Sequence, residues 1–120
     1  MTGKTMALTL PLRKKWFDLI KSGEKKEEYR EINRYWTARL VAAMVPFTGT
    51  VLSFTNFDSL VFTLGYPKAG DTERRLTFKN PSIRIGTGRP EWGAEAVKQY
   101  FVITWDDDLV TEEQNIECRR

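Results

Sequence analysis

Lys25, Glu28 and Arg30 are the residues whose types and spacing best suit chemistry in this chain. They lie in the run WFDLIKSGEKKEEYR, residues 16–30. A lysine two residues past a glycine turn can approach a phosphate or an oxyanion closely. Burial or a neighbouring cation would lower its pKa toward the range of a general acid or base. Glu28 and Arg30 stand two apart, so on a strand they share one face and can sit side by side. If that face turns into a cleft, the pair needs a ligand or each other. If it turns outward, the same residues make an edge strand blunted by charge, a common guard against aggregation. Lys26, beside Lys25, adds a second cation at the same turn.

A second cluster lies at GTGRPEWGA, residues 86–94. Two glycines beside Arg89 suit either a tight turn or a loop whose backbone amides bind an anion. The spacing matches neither a Walker motif nor a dinucleotide fingerprint. Trp92 suits stacking on a nucleobase, a contact worth roughly 1–3 kcal/mol, or plugging one end of a barrel. Arg34 and Tyr35 are candidates for surface contacts. Trp16 and Trp36 fall on apolar helix faces and read most simply as core.

Other chemistry is excluded or unsignalled. The chain has no histidine, which rules out a histidine-based triad, and a single cysteine, Cys118. No disulfide framework or ordinary zinc site is expected, and a cytoplasmic, reducing compartment suits the composition. A carboxylate site for magnesium or manganese is open to the composition but is not signalled, so no metal ligand is named, and no cofactor is expected. No run approaches the roughly 18 apolar residues of a membrane span, so no membrane partner is expected, and the N-terminus lacks a secretion signal.

The elements that must position these residues follow from periodicity. Residues 4–10 suit a strand ending at Pro11. Leu12, Trp16, Leu19 and Ile20 mark one face of a short helix, with Gly23 as its stop. Residues 25–31 alternate as a strand does. Asn33 suits the N-cap of a second helix through Trp36, Leu40, Ala43 and Met44, closed by Pro46. Strands are expected near 50–56 and 60–66, at 75–79 and 82–86 (these two as separate strands or one bent strand), and from Tyr100 to Trp105. Residues 109–117 suit a weak helix. About five to six strands in so short a chain suggest an α+β fold, a small, partly closed β-barrel with two short helices in its first half.

At 120 residues, with 41% hydrophobic and 29% charged residues, one domain over 1–106 is expected, followed by an acidic C-terminal tail, 107–120. The formal net charge of +3 hides an asymmetry. Residues 1–105 hold 17 Lys/Arg and 10 Asp/Glu, or +7, whereas residues 106–120 hold 2 and 6, or −4. A basic body suits a polyanion such as nucleic acid, and equally suits an ordinary solvated surface.

The run WFDLIKSGEKKEEYREINRYWTARL, residues 16–40, resembles the opening of an ASCH domain, a relative of the PUA-like RNA-binding barrels. The signature G-x-K-x-x-[ET]-x-R reads here as Gly23, Lys25, Glu28 and Arg30. Residues 85–105, IGTGRPEWGAEAVKQYFVITW, are similar to the loop and closing strand of small ASCH proteins from bacteria and phages. The likeness covers roughly residues 5–105. It implies a PUA-like barrel with a cleft beside the first helix and the charged strand. It also implies an RNA or nucleotide-like ligand, met by Lys25, Glu28 and Arg30, to which the residues themselves add Lys26, Arg34, Tyr35, Arg89 and Trp92 as candidate contacts. Some relatives are amidohydrolases of N4-acetylcytidine, using a lysine, a threonine and a glutamate. Lys25 matches that lysine, but Glu28 stands where the threonine nucleophile would be. The alternatives are therefore a small hydrolase of a modified nucleoside or RNA using Lys25 and Glu28, or a protein-interaction domain.

Overall fold

A computed structural model describes residues 6–106. The acidic tail, the 109–117 helix, Cys118 and the expected beginning of the first strand lie outside the described residues. The elements in chain order are β1 (Ala7–Leu12), α1 (Lys14–Lys21), β2 (Glu28–Glu31), α2 (Arg34–Leu40), β3 (Val41–Met44), β4 (Val51–Phe54), β5 (Ser59–Leu64), β6 (Arg75–Lys79), β7 (Ser82–Thr87) and β8 (Gln99–Thr104). Short 3-10 turns occupy Thr72–Arg74 and Pro90–Trp92. The fold is α+β, with both helices in the first half.

Two expectations are corrected. There are eight described strands rather than about five or six, and they pair in three separate sheets, β1-β5-β6, β2-β8-β7 and β3-β4. Their ladders do not join into a closed barrel. The second helix also stops at Leu40, not at Pro46. Val41 is already extended and pairs with Phe54, and the Leu40 carbonyl accepts from Thr55 N–H at 2.9 Å. Ala42, Ala43 and Met44 favour helix locally, but the hairpin partner decides their state, and nothing in the local pattern announces it.

The described residues form two compact units. The first holds residues 6–26, 57–81 and 105–106. Alternation in β1 turns Leu8, Leu10 and Leu12 inward. β5 lies parallel to β1, with Leu8 opposite Leu60 and Leu10 opposite Phe62, and β6 completes the sheet antiparallel to β5. α1 contributes Phe17 and Ile20, one turn apart, to the buried set. The rings of Phe62, Phe78 and Trp105 meet at centroid distances of 5.0–6.0 Å. Gly23 ends α1 at φ 88°, and the Leu19 carbonyl accepts from both Glu24 N–H and Lys25 N–H at 3.0 Å. This left-handed stop closes the helix and sends Lys25 away from its axis.

The second unit holds Glu27–Asn56 and Ser82–Thr104. Its sheet is centred on β8, whose residues Tyr100, Phe101, Val102 and Ile103 are all buried. A strand buried on both faces reads as a continuous apolar run, as this one does. β2 and β7 flank it, both antiparallel. Asn33 caps α2 as expected, its side chain accepting from Trp36 N–H at 2.9 Å. β6 and β7 are separate strands in different sheets, parted at Asn80-Pro81, where Asn80 takes φ 54°.

Candidate functional site

The charged segment is neither a solvated edge nor a uniform wall. Lys25 is 1% exposed and Glu28 6%, and no other charged residue among those described is buried. Lys26 and Glu31 face solvent, and Glu27, Tyr29 and Arg30 are half-buried. Hiding charge costs several kcal/mol per ion unless it is compensated. Burial therefore falls on the lysine and the glutamate of the motif and spares their neighbours. In the first unit, the Lys25 ammonium lies 5.6 Å from the centre of the Trp16 ring, with Lys15 at 4.7 Å from the same ring. Both distances are within cation–π range.

In the second unit, alternation along β2 divides the charged strand between two faces. Glu28 and Arg30 share one. The register sets Glu28 against Ile103 and Arg30 against Phe101, an apolar background for charge. Arg30 forms an ion pair with Glu28 and also donates to the Tyr29 carbonyl at 2.8 Å. Its guanidinium lies 5.3 Å from the Trp36 ring centre. Arg39 covers both Trp36 and Tyr35 at 5.9 Å, and the Tyr35 and Trp36 rings meet edge-on at 4.9 Å. Trp36 is thus half-buried among two arginines and a tyrosine. The reading of Trp16 and Trp36 as simple core residues is corrected: both rings also bear cations. Arg34 and Tyr35 are exposed, Tyr35 at 60%.

Glu27 and Tyr29 occupy the opposite face, beside Tyr100 and Val102 of β8 and Arg84 of β7. Glu27 accepts from Arg84 at 2.9 Å and from the Tyr29 hydroxyl at 2.8 Å. The Tyr29 hydroxyl in turn accepts from Arg89 N–H at 2.9 Å. The direction is fixed chemically, because an amide only donates and a carboxylate only accepts. This overturns the reading of residues 86–89 as a tight turn or anion-binding nest. Gly86 and Thr87 are paired strand residues, and the Arg89 amide is committed to Tyr29. Arg89 stacks over half-buried Trp92, its guanidinium 4.9 Å from the ring centre, and also meets Glu91 at 3.5 Å.

The candidates therefore fall into separate groups. Arg30, Arg39 and Tyr35 gather around Trp36, with Glu28 paired to Arg30, and Arg34 stands exposed at the start of α2. Arg89 and Trp92 sit on a loop fastened through Tyr29 to the other face of β2. No family model, curated protein or solved structure matches this chain.

Among the described residues, no cluster of His, Cys, Asp or Glu is placed to hold a metal ion, and no helix is long and apolar enough to cross a membrane. Sequence reasoning missed Glu27, Tyr29 and Arg84. The first two were accessible through the two-residue alternation that marked Glu28 and Arg30. Arg84 was not, because its place depends on the register of β7 on β8.

Burial raises the Tyr29 pKa to about 12, and the hydrogen bond to Glu27 and its negative charge push the same way, against the opposing pull of the Arg89 amide. Folding thus favours neutral Tyr29. Its contribution to stability is complete below the ordinary tyrosine pKa near 10 and is lost as pH rises through about 12. An ultraviolet titration of phenolate should show one late-ionising tyrosine that is absent from Tyr29→Phe. If the variant keeps the late step, the assignment to Tyr29 is wrong.

Proposed function

We propose that this chain is an ASCH-like domain, related to the PUA-like folds, that binds RNA or a nucleotide-like ligand through a basic, aromatic site. The observation that carries the reading is the selective burial of Lys25 and Glu28, the charged pair of the G-x-K-x-x-E-x-R signature. Arg30 over Trp36, with exposed Tyr35 and Arg34 alongside, supplies what single-stranded bases and phosphates need: π-faces for stacking and cations for charge. Lys26 is a further exposed cation on the same segment. Glu28 would hold Arg30 in place through their ion pair.

The test is binding of short, mixed-sequence single-stranded RNA at rising salt. Three phosphate contacts would weaken affinity about 20-fold over a fourfold rise in salt. Tyr35→Ala and Arg34→Ala, both at exposed positions, should each weaken binding while leaving the melting temperature unchanged. Salt-independent affinity, or no binding to any RNA pool, would sink the proposal.

The buried Lys25–Glu28 signature also supports a second reading, a hydrolase of a modified nucleoside or RNA. In that case Glu28 would act as a base toward water, since it cannot serve as the threonine nucleophile. Turnover of acylated cytidine that vanishes in Lys25→Met would favour this reading over simple binding.

A further inference from the structure

The G-x-K-x-x-E-x-R strand carries a second set of polar residues, on the face opposite Glu28 and Arg30. Arg84, Glu27, Tyr29 and the Arg89 amide form one chain of hydrogen bonds, with links of 2.9, 2.8 and 2.9 Å. It begins on β7, crosses to β2 and ends on the backbone of the loop that bears Arg89 and Trp92. The donors converge on Glu27, which accepts from Arg84 on one side and from the Tyr29 hydroxyl on the other, while that hydroxyl accepts from the Arg89 amide.

Packing reinforces the chain at the same point. The Tyr29 ring is tilted against Tyr100 at 5.6 Å and belongs to the cluster of Ala94, Tyr100 and Val102. A Cβ at Gly88 would lie 2.5 Å from Tyr29 Cε1 and 2.8 Å from Ala94 Cβ, so the backbone just before Arg89 lies directly against the ring. The loop then closes on itself. Trp92 N–H and Ala94 N–H both donate to the Arg89 carbonyl, at 3.0 and 3.2 Å. The Tyr100 hydroxyl accepts from Glu95 N–H at 2.9 Å at the loop's far end. Arg89 is therefore where the loop is anchored from outside and folded from within. Its guanidinium and the Trp92 ring, stacked at 4.9 Å, take their orientation from that residue.

We infer that Tyr29 is a positioning residue for ligand binding: its hydroxyl fixes the Arg89 amide and so presents the Arg89–Trp92 stack to a nucleobase or phosphate. This rests on the RNA-binding reading above. It extends that reading from the Trp36 side of β2 to the opposite face and makes β2 the strand that aligns both.

The decisive variant is Tyr29→Phe, which keeps the ring against Gly88 and Ala94 and removes both hydrogen bonds of the hydroxyl. Two measurements are made on the full chain. In the first, hydrogen exchange of the Arg89 amide should accelerate at least about tenfold in the variant. In the second, a double-mutant cycle uses a short mixed-sequence single-stranded RNA. Trp92→Ala should weaken binding about tenfold. Tyr29→Phe should weaken it about fivefold in the wild-type background and have no further effect in the Trp92→Ala background, because the two act through one loop. A merely structural tyrosine would give additive losses, and additivity overturns the inference. So does a Tyr29→Phe protein with unchanged Arg89 exchange, or one with full affinity when Trp92→Ala has lost it. If Trp92→Ala binds normally while Tyr35→Ala does not, the loop is no part of the site: this inference falls and the RNA reading stands. If the wild-type chain binds no RNA, the RNA reading and the presenting role of Tyr29 fall together, whatever the exchange shows.

Discussion

Glu28→Ala should lower the stability of the chain by about 3 kcal/mol or more. Glu28 is 6% exposed, and the Arg30 side chain paired with it is 14% exposed. The pair stands on the face of β2 that meets Phe101 and Ile103, so losing one partner leaves the other charge largely desolvated. In the variant, the guanidinium keeps the Tyr29 carbonyl and the Trp36 ring but loses this counter-charge. Glu28→Gln keeps the shape and one acceptor oxygen, so its loss should be smaller. Urea unfolding measures both, as a shifted midpoint with an unchanged slope. A loss below about 1 kcal/mol would show that the pair behaves as a solvated surface bridge.

A companion variant separates stability from function. Replacing a buried ion pair by apolar residues of similar volume is often neutral or stabilising. Glu28→Leu combined with Arg30→Met should therefore recover much of the stability lost in Glu28→Ala. If the proposed site binds RNA, affinity should not recover with it, because the double variant has no cation over Trp36 from Arg30.

The second large effect is expected at Gly88→Ala. The new Cβ would lie 2.5 and 2.6 Å from two carbons of the Tyr29 ring and 2.8 Å from Ala94 Cβ. Real contacts do not come so close, so something must move. Ala94 is 7% exposed, and the Tyr29 hydroxyl is held by both Glu27 and Arg89. Neither neighbour can yield cheaply. Overpacking of this kind costs about 1–3 kcal/mol, and the melting temperature should fall by roughly 5–10 °C. Gly88 has an ordinary negative φ here, so the requirement is for space and not for a left-handed backbone. The cost should shrink when Tyr29 is itself truncated to Ala, because the clash then has no ring to meet. An unchanged melting temperature in Gly88→Ala would mean that the loop does not sit against Tyr29.

Local pattern was enough for several elements. Leu8 and Leu10 alternate as β1 does, although the strand runs on through Pro11 to Leu12, a residue that the helical spacing assigns to α1. Ile20 lies on the buried face of α1 as the spacing predicts, although Phe17 is buried with it where the spacing points to Trp16 and Leu19. Gly23 ends that helix, and Asn33 caps the next. Each is a short-range rule read within a few residues. The sequence by itself also marked the segment from Lys25 to Arg30 as too charged for ordinary core, and placed Glu28 and Arg30 on one face through the two-residue repeat of a strand.

Tertiary structure decided the rest, because the deciding contacts are distant in sequence. Val41 to Met44 left the helix for a strand because Val51–Phe54 lies beside them. Which charges are hidden was likewise unreadable: Lys25 and Lys26 are neighbours of one type, yet the first is buried and the second exposed. The division of the candidates between two faces of β2 follows from the register of β8 and β7, which sets Arg84 and Tyr29 across from Val102. Composition and spacing named the charged strand, and only strand pairing showed that its two faces hold two different polar clusters.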